Sequence, residues 1–268
     1  MASILKREFA PISDLAWNWI DSEAQRTLKQ NLAARKVVDF SGPHGWELAA
    51  INLGRLENVK KDNVPWGIRQ VQSLVETRIP FTLAQFELDN LTRGAKDVDN
   101  QPIIDAVEKA ARFEDTAVFT GFDAGAIKGI VKTAAHDAIA LGEPAAMASA
   151  VGQAVKTLIT ADVGGPYTLV LGQDEYFALL AAASKAPIPP YETVKQILQG
   201  EIVMSRVLKG GLVVSKRGGD FELTVGADYA IGYSQHDSKN VELFITESFT
   251  FRVIDPRAAV VLKTASTK

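Results

Sequence analysis

The chain predicts an α+β protein built from interleaved lobes, and three stretches carry that prediction. Residues 17–32 repeat apolar side chains three or four apart, the spacing of a helix that lays one stripe on a core. Residues 47–81 read as a long two-stranded ribbon. Residues 241–253 form one apolar strand that, at about 3.3 Å per residue, spans roughly 43 Å, about twice a common strand. A strand of that length runs from one lobe into another, so the lobes are not beads on a string.

The elements follow in order. Ser13 caps a helix whose apolar row is Trp17, Ile20, Ala24, Leu28 and Leu32, and whose other side carries Asp21, Glu23, Arg26, Lys29 and Asn31. Residues 35–40 read as a short strand and Ser41-Gly42-Pro43 as a turn. The ribbon has a polar tip at residues 60–63 and returns through Pro65-Trp66-Gly67. On the return, Val75, Thr77, Ile79 and Phe81 alternate with Glu76, Arg78 and Pro80. An isolated two-stranded ribbon is marginal in water, so a long one implies that a partner surface covers it. That points to assembly.

Residues 100–121 predict a second helix, with Pro102 in its first turn and Ile104, Val107, Ala111 and Val118 on one face. Gly121, Gly125 and Gly129 read as flexible backbone between lobes rather than a membrane-helix motif. Further helices are expected over residues 144–160, 174–185 and 191–199, with a buried strand at residues 167–171. The rest is strand, turned at Gly210-Gly211 and Gly218-Gly219. In the last strand Val241, Leu243, Ile245, Phe249, Phe251 and Val253 share a face interrupted by Glu247. A lone carboxylate there would be costly, so an ion pair at a lobe or subunit boundary is expected.

Composition removes several function classes. A net charge of −3 over 268 residues offers no basic stripe for phosphates, so no nucleic-acid partner is expected. The absence of cysteine excludes disulfides, thiolate metal sites and a cysteine nucleophile. The start of the chain lacks the apolar core of a secretory signal, and no apolar run is long enough to span a bilayer. A cytoplasmic protein without a membrane partner is expected.

Candidate chemistry is sparse. His44, His136 and His236 lie far apart without ligand spacing, so neither metal nor catalytic residues are expected among them. Glu87 and Asp89 could share a strand face as an acid/base pair, or form a charged edge paired with Arg93 or a neighbouring subunit. Gly164-Gly165 and Gly218-Gly219 precede strands rather than helices, so they are turns and not phosphate cradles. Trp17 and Trp19 read as helix packing.

Several motifs in order carry a resemblance: FSGPHGWELAAINLG (residues 40–54), FTLAQFELDNLTRG (81–94), GGPYTLVL (164–171), RGGDF (217–221) and LFITESFTFRVIDPRAAVVL (243–262). Together they resemble the family 1 encapsulins, also labelled linocin-like bacteriocins, over nearly the whole chain. Encapsulins are nanocompartment shell proteins with the Hong Kong 97-type fold of tailed-phage major capsid proteins. The resemblance implies a peripheral domain of residues 1–46, 76–130 and 217–250. It also implies an extended loop of residues 47–75 and an axial domain of residues 131–216 and 251–268. The loop Lys185, Ala186, Pro187, Ile188, Pro189 and Pro190 would rim a five-fold pore, or merely end a helix.

The resemblance further implies a partner: a cargo protein captured by its C-terminal targeting peptide in a groove between the N-terminal helix and peripheral strands. The matching positions are Leu28, Arg35, Asp39, Ile231 and Tyr233. Apolar side chains there would offer a pocket, while Arg35 and Asp39 could fix an extended backbone. The alternative is an internal Arg–Asp pair and ordinary core contacts. Phe86 stands where flavin-binding members carry tryptophan, and a phenyl ring has no N–H donor, so no cofactor is expected. The expected function is a non-enzymatic subunit of a homo-oligomeric icosahedral shell, with the smallest form of about sixty copies favoured. The cargo would be a ferritin-like iron-storage protein or a dye-decolourising peroxidase, with roles in iron storage or oxidative stress. The alternative is a prophage capsid protein packaging DNA, against which the early helix start leaves no room for a scaffolding segment. A hydrolase or bacteriocin is a third reading.

Overall fold

Ser13 starts the first helix as the sequence predicts. Its hydroxyl accepts the Ala16 N–H at 3.3 Å, and α1 (Asp14–Asn31) follows. The computed structural model describes residues 4–60, 64–182 and 189–264. Two units emerge, each assembled from three chain segments: Met1–Gln30, Ser41–Ala111 and Thr224–Thr250, then Asn31–Phe40, Arg112–Leu223 and Phe251–Lys268.

After β1 (Asp39–Ser41), the strands β2 (Ala50–Lys60) and β3 (Trp66–Ser73) pair, among the described residues, only with each other, as an antiparallel ribbon. Next come β4 (Val75–Ala84), α2 (Gln85–Thr92) and α3 (Gln101–Phe119). The alternation read across residues 75–81 holds through Ala84, and β4 lies in a sheet rather than in the ribbon. The helix α2 corrects the strand reading of Glu87 and Asp89, because two residues apart on a helix do not share a face. Asp89 instead lies 3.9 Å from Arg93 one turn on.

The first unit is organised by the long strand β11 (Asn240–Val253), which begins in this unit and ends in the other. It pairs antiparallel with β4 on one side and with β10 (Ala230–His236) on the other. The sheet order is β1-β9-β11-β10, with β9 being Phe221–Val225 and β4 paired to β11. One face of this sheet packs on α1, α2 and α3. Trp17, Ile20, Phe81, Leu88, Ile103 and Leu243 are buried together there. Each such side chain contributes about 1.5–3 kcal/mol by leaving water.

The sequence pattern accounted for one apolar face of β11, yet both faces are buried. Two of the three hydroxyls on the second face are bonded internally, while the buried Thr250 hydroxyl has no hydrogen-bond partner among the described residues. Thr246 donates to the Thr77 carbonyl at 2.7 Å, and Ser248 accepts the Ala227 N–H at 2.8 Å. Gly232 pairs across from Phe244, and a Cβ there would come within 2.8 Å of the Phe244 ring, so glycine keeps the strands in register. Glu247 is buried in this stretch.

The second unit holds the other sheet. Its elements are α4 (Ile130–Thr133), β5 (Ile139–Ala140), α5 (Met147–Thr160), β6 (Tyr167–Gly172), α6 (Gln173–Ala181) and α7 (Pro190–Leu198). To these are added β7 (Ile202–Ser205), β8 (Gly211–Ser215) and β12 (Ala259–Lys263). The order is β5-β12-β8-β6-β7, and every residue of β6 is buried between paired neighbours. Met147, Val151, Ala154 and Leu158 form the buried face of α5, which packs on β8 and β12.

Residues 35–40 differ from the predicted strand. A 3-10 turn occupies Ala34–Lys36, and the strand is only Asp39–Ser41. Gly121 and Gly129 are also not a flexible joint. Gly121 adopts φ 98°, and a Cβ on either would clash with the backbone of the other, so the pair is a tight approach within the second unit.

Candidate functional site

The residues expected to form a peptide groove fall into two groups. Leu28, Ile231 and Tyr233 belong to one cluster in the first unit. Ile231 and Tyr233 face the core from β10 and are only 3% and 9% exposed, while Leu28 is half-buried at the margin. The Tyr233 hydroxyl lies 2.6 Å from His236 Nδ1, in a hydrogen bond whose direction depends on the tautomer.

The same corner holds residues that sequence reasoning passed over. Arg7 lies in a 3-10 turn ahead of α1, and its Nε donates to the Ile231 carbonyl at 2.7 Å. Its two terminal nitrogens donate to the Asp21 carboxylate at 2.8 and 2.6 Å. The guanidinium carbon sits 4.3 Å from the Trp17 ring centroid. A signal was present: Trp17 and Asp21 are one helical turn apart and form a stacking face beside an acid.

Arg35 and Asp39 belong to the second unit, and each has a partner there. Arg35 makes a two-point contact with Glu114, at 3.0 Å from Nε and 2.7 Å from Nη2. Glu114 is fully buried, so this pair is a charge-assisted bond inside the unit. Asp39 accepts the Gly219 N–H at 2.6 Å. Gly218 and Gly219 both lie in the left-handed region at φ 85° and 81°, which the RGGDF turn requires and only glycine adopts cheaply. Arg217 closes that turn on Asp220 and Asp255 at 2.8 and 2.9 Å. The Arg257 hydrogen bond holds Asp255 below the usual carboxylate range.

Next to Glu114, Asp115 accepts the N–H groups of Ala33 and Ala34 at 3.1 and 2.9 Å. Burial pushes its carboxyl up to about 7 against the pull of those two bonds. Two adjacent acids on α3 thus clamp the Ala33–Arg35 stretch.

The ribbon presents the other candidate surface. Leu56, Ile68 and Val71 are 61%, 61% and 57% exposed on a two-stranded sheet with no further strand. Of the expected pore loop, Lys185, Ala186, Pro187 and Ile188 lie outside the described residues. Pro189 is exposed as the cap of α7, and Pro190 is buried in its first turn. Phe86 is exposed on α2, with the Arg93 guanidinium 5.9 Å from its ring centroid.

No acid/base or nucleophilic constellation forms among the described residues singled out by sequence. His44 bonds Ser41 at 2.9 Å, and His136 bonds the Arg257 carbonyl at 2.8 Å. Among the described residues no three His, Asp or Glu side chains come together to hold a metal, and no helix is long and apolar enough to cross a membrane.

A two-stranded ribbon with exposed apolar residues, in one unit with a sheet packed on helices, gives an α+β fold of the phage-capsid type. Solved structures share it. A virus-like particle from Pyrococcus furiosus is similar at TM-score 0.68 and 17% identity, covering 92% of this chain and 99% of that one. A chain of the solved structure of Microbacterium phage Oxtober96 is similar at TM-score 0.59 and 14% identity, covering 88% of this chain and 91% of that one. The family follows from sequence. A family model described as "Encapsulating protein for peroxidase" matches residues 1–250. A type 1 encapsulin shell protein of Rhodospirillum rubrum is 43% identical over 97% of this chain and 96% of its own. Those of Brevibacterium linens and Mycobacterium tuberculosis are 40% and 38% identical, each over 96% of this chain and 98% of their own. The chain belongs to the type 1 encapsulin shell protein family.

Proposed function

We propose that this chain is the self-assembling subunit of an icosahedral compartment that encloses a cargo enzyme, and that it is a container rather than a catalyst. The observation that carries the reading is the β2–β3 ribbon. Apolar side chains this exposed on a marginal two-stranded sheet need a neighbouring copy to bury them. The membership of the chain in the encapsulin family supports the same reading.

In this account residues 47–75 are an extended loop lying across a neighbour. Residues 1–46, 76–130 and 217–250 form the peripheral domain, and residues 131–216 and 251–268 gather around the five-fold axis. Pores in the shell pass small solutes. The compact length of the chain favours the smallest icosahedral shell, of about sixty copies. The cargo is a ferritin-like or peroxidase-type enzyme in the cytoplasm, held by its C-terminal peptide against Leu28, Ile231 and Tyr233. Arg35 and Asp39 belong to the second unit, where Glu114 and the Gly219 N–H already engage them. The shell uses no flavin, because the exposed phenyl ring of Phe86 supplies neither a donor nor an indole face.

Electron microscopy of the purified protein, with mass spectrometry of what copurifies, tests the reading: uniform hollow particles carrying one enzyme are expected. Particles filled with DNA, or no particles, would overturn it. The groove has its own test. Leu28→Asp is expected to leave particles intact but empty, because a carboxylate replaces the apolar margin. Unchanged cargo occupancy would remove the groove.

A further inference from the structure

One side chain spans α1 and the outer edge of β10. Arg7 uses all three guanidinium nitrogens: Nε on the Ile231 carbonyl at 2.7 Å, Nη1 and Nη2 on Asp21 at 2.8 and 2.6 Å. It also stacks on Trp17, so one planar group touches the helix at two points and the strand at a third. A guanidinium is a rigid fork, and it fixes a separation in a way a flexible ammonium does not. Beside it the Tyr233 N–H donates to the Leu5 carbonyl at 2.8 Å. The Ile231 carbonyl and the Tyr233 N–H, one backbone group of each residue, are therefore taken by the chain's own residues, which opposes strand addition there.

The separation matters because of burial. Ile231 and Tyr233 expose 3% and 9% of their surface, so what a peptide can reach beside Leu28 is a sliver whose size depends on the position of α1.

We infer that Arg7 is a positioning residue for cargo capture: it holds α1 and β10 at the spacing that makes Leu28, Ile231 and Tyr233 one surface. By closing the strand edge, residues 5–7 make that surface read peptide side chains rather than peptide backbone. The inference rests on the groove reading above and deepens it. Arg7 acts through the spacing and not as a contact for the peptide.

The test uses assembled shells co-expressed with a fluorescent reporter carrying the C-terminal tail of the protein that copurifies with the wild-type shell. Reporter fluorescence per particle is read alongside particle size by microscopy. Arg7→Ala and Arg7→Lys are both expected to assemble normally and to load about tenfold less reporter. Wild-type loading by Arg7→Lys would reduce the role to a charge pair and overturn the inference, as would wild-type loading by Arg7→Ala. Should either Arg7 variant fail to assemble, Asp21→Asn weakens the same fork at its exposed end: reduced loading supports the strut and wild-type loading overturns it. Leu28→Asp separates the two claims. Full loading by Leu28→Asp removes the groove, whereas an empty Leu28→Asp shell beside full Arg7 variants removes only the strut.

Discussion

Two stretches of long β-strand in this chain have opposite fates. β11 is paired on both sides and buried on both faces, with Thr246 bonded to a neighbour in its own chain. β2 and β3 pair only with each other and leave Leu56, Ile68 and Val71 in water. The first is finished by folding, and the second, on the proposed reading, by another copy. The difference teaches that strand length and apolar content do not say where a strand's partner resides. What decides it is whether the same chain supplies a third strand or a covering helix.

That contrast can be broken at either end. The largest effect is expected from the double substitution Leu56→Glu with Ile68→Glu. It removes assembled particles altogether, as read by sedimentation, while the far-UV circular dichroism of the subunit is retained, since exposed substitutions cost a fold about 0.5 kcal/mol or less. Particles of normal size would show that the ribbon is not an interface. Next in size is Phe249→Ala in β11, where a fully buried ring leaves a cavity. A loss of about 3–5 kcal/mol is expected, seen as a lower urea midpoint. A change within about 0.5 kcal/mol would mean that the β11 core is looser than its burial implies.

The smallest effect is expected at Asp115, and it depends on pH. Its carboxyl is raised to about 7 in the folded chain from 3.8, so the folded state binds this proton more tightly than the unfolded one. The stability that this group contributes is therefore greatest below about pH 4, falls as the pH rises through about 7, and is flat beyond. Asp115→Asn keeps an oxygen for the Ala33 and Ala34 N–H groups and cannot ionise, so the slope over this window is expected to flatten. An unchanged slope in a pH series of urea midpoints would assign it to another group.

Much of the fold was legible because its signals are local. Ser13 and the Trp17, Ile20, Ala24 row define α1, the alternation of residues 75–81 defines β4, and apolar runs define β6 and β11. The misreadings have non-local causes. Val37 and Val38 give residues 35–40 a strand-like composition, but Asp115, some eighty positions away, captures the Ala33 and Ala34 N–H groups and sets a 3-10 turn. Gln85–Thr92 follows a strand without a break, and its helix buries only Leu88, too little periodicity to reveal itself.

The candidate groove was legible only as a family pattern. Leu28, Ile231 and Tyr233 do meet in one cluster, which their separation in sequence did not require. The partner of Arg35 proved to be Glu114 and that of Asp39 the Gly219 N–H, both fixed by tertiary packing. Arg7 was missed because its role depends on a carbonyl, Ile231, that no sequence pattern marks.

The central claim is that the ribbon makes an isolated subunit incomplete. Mass photometry of the purified wild-type chain across a dilution series tests it most directly. One population of large uniform particles, persisting on dilution with little free subunit, is the expected result. A stable folded monomer at every concentration and salt would contradict it.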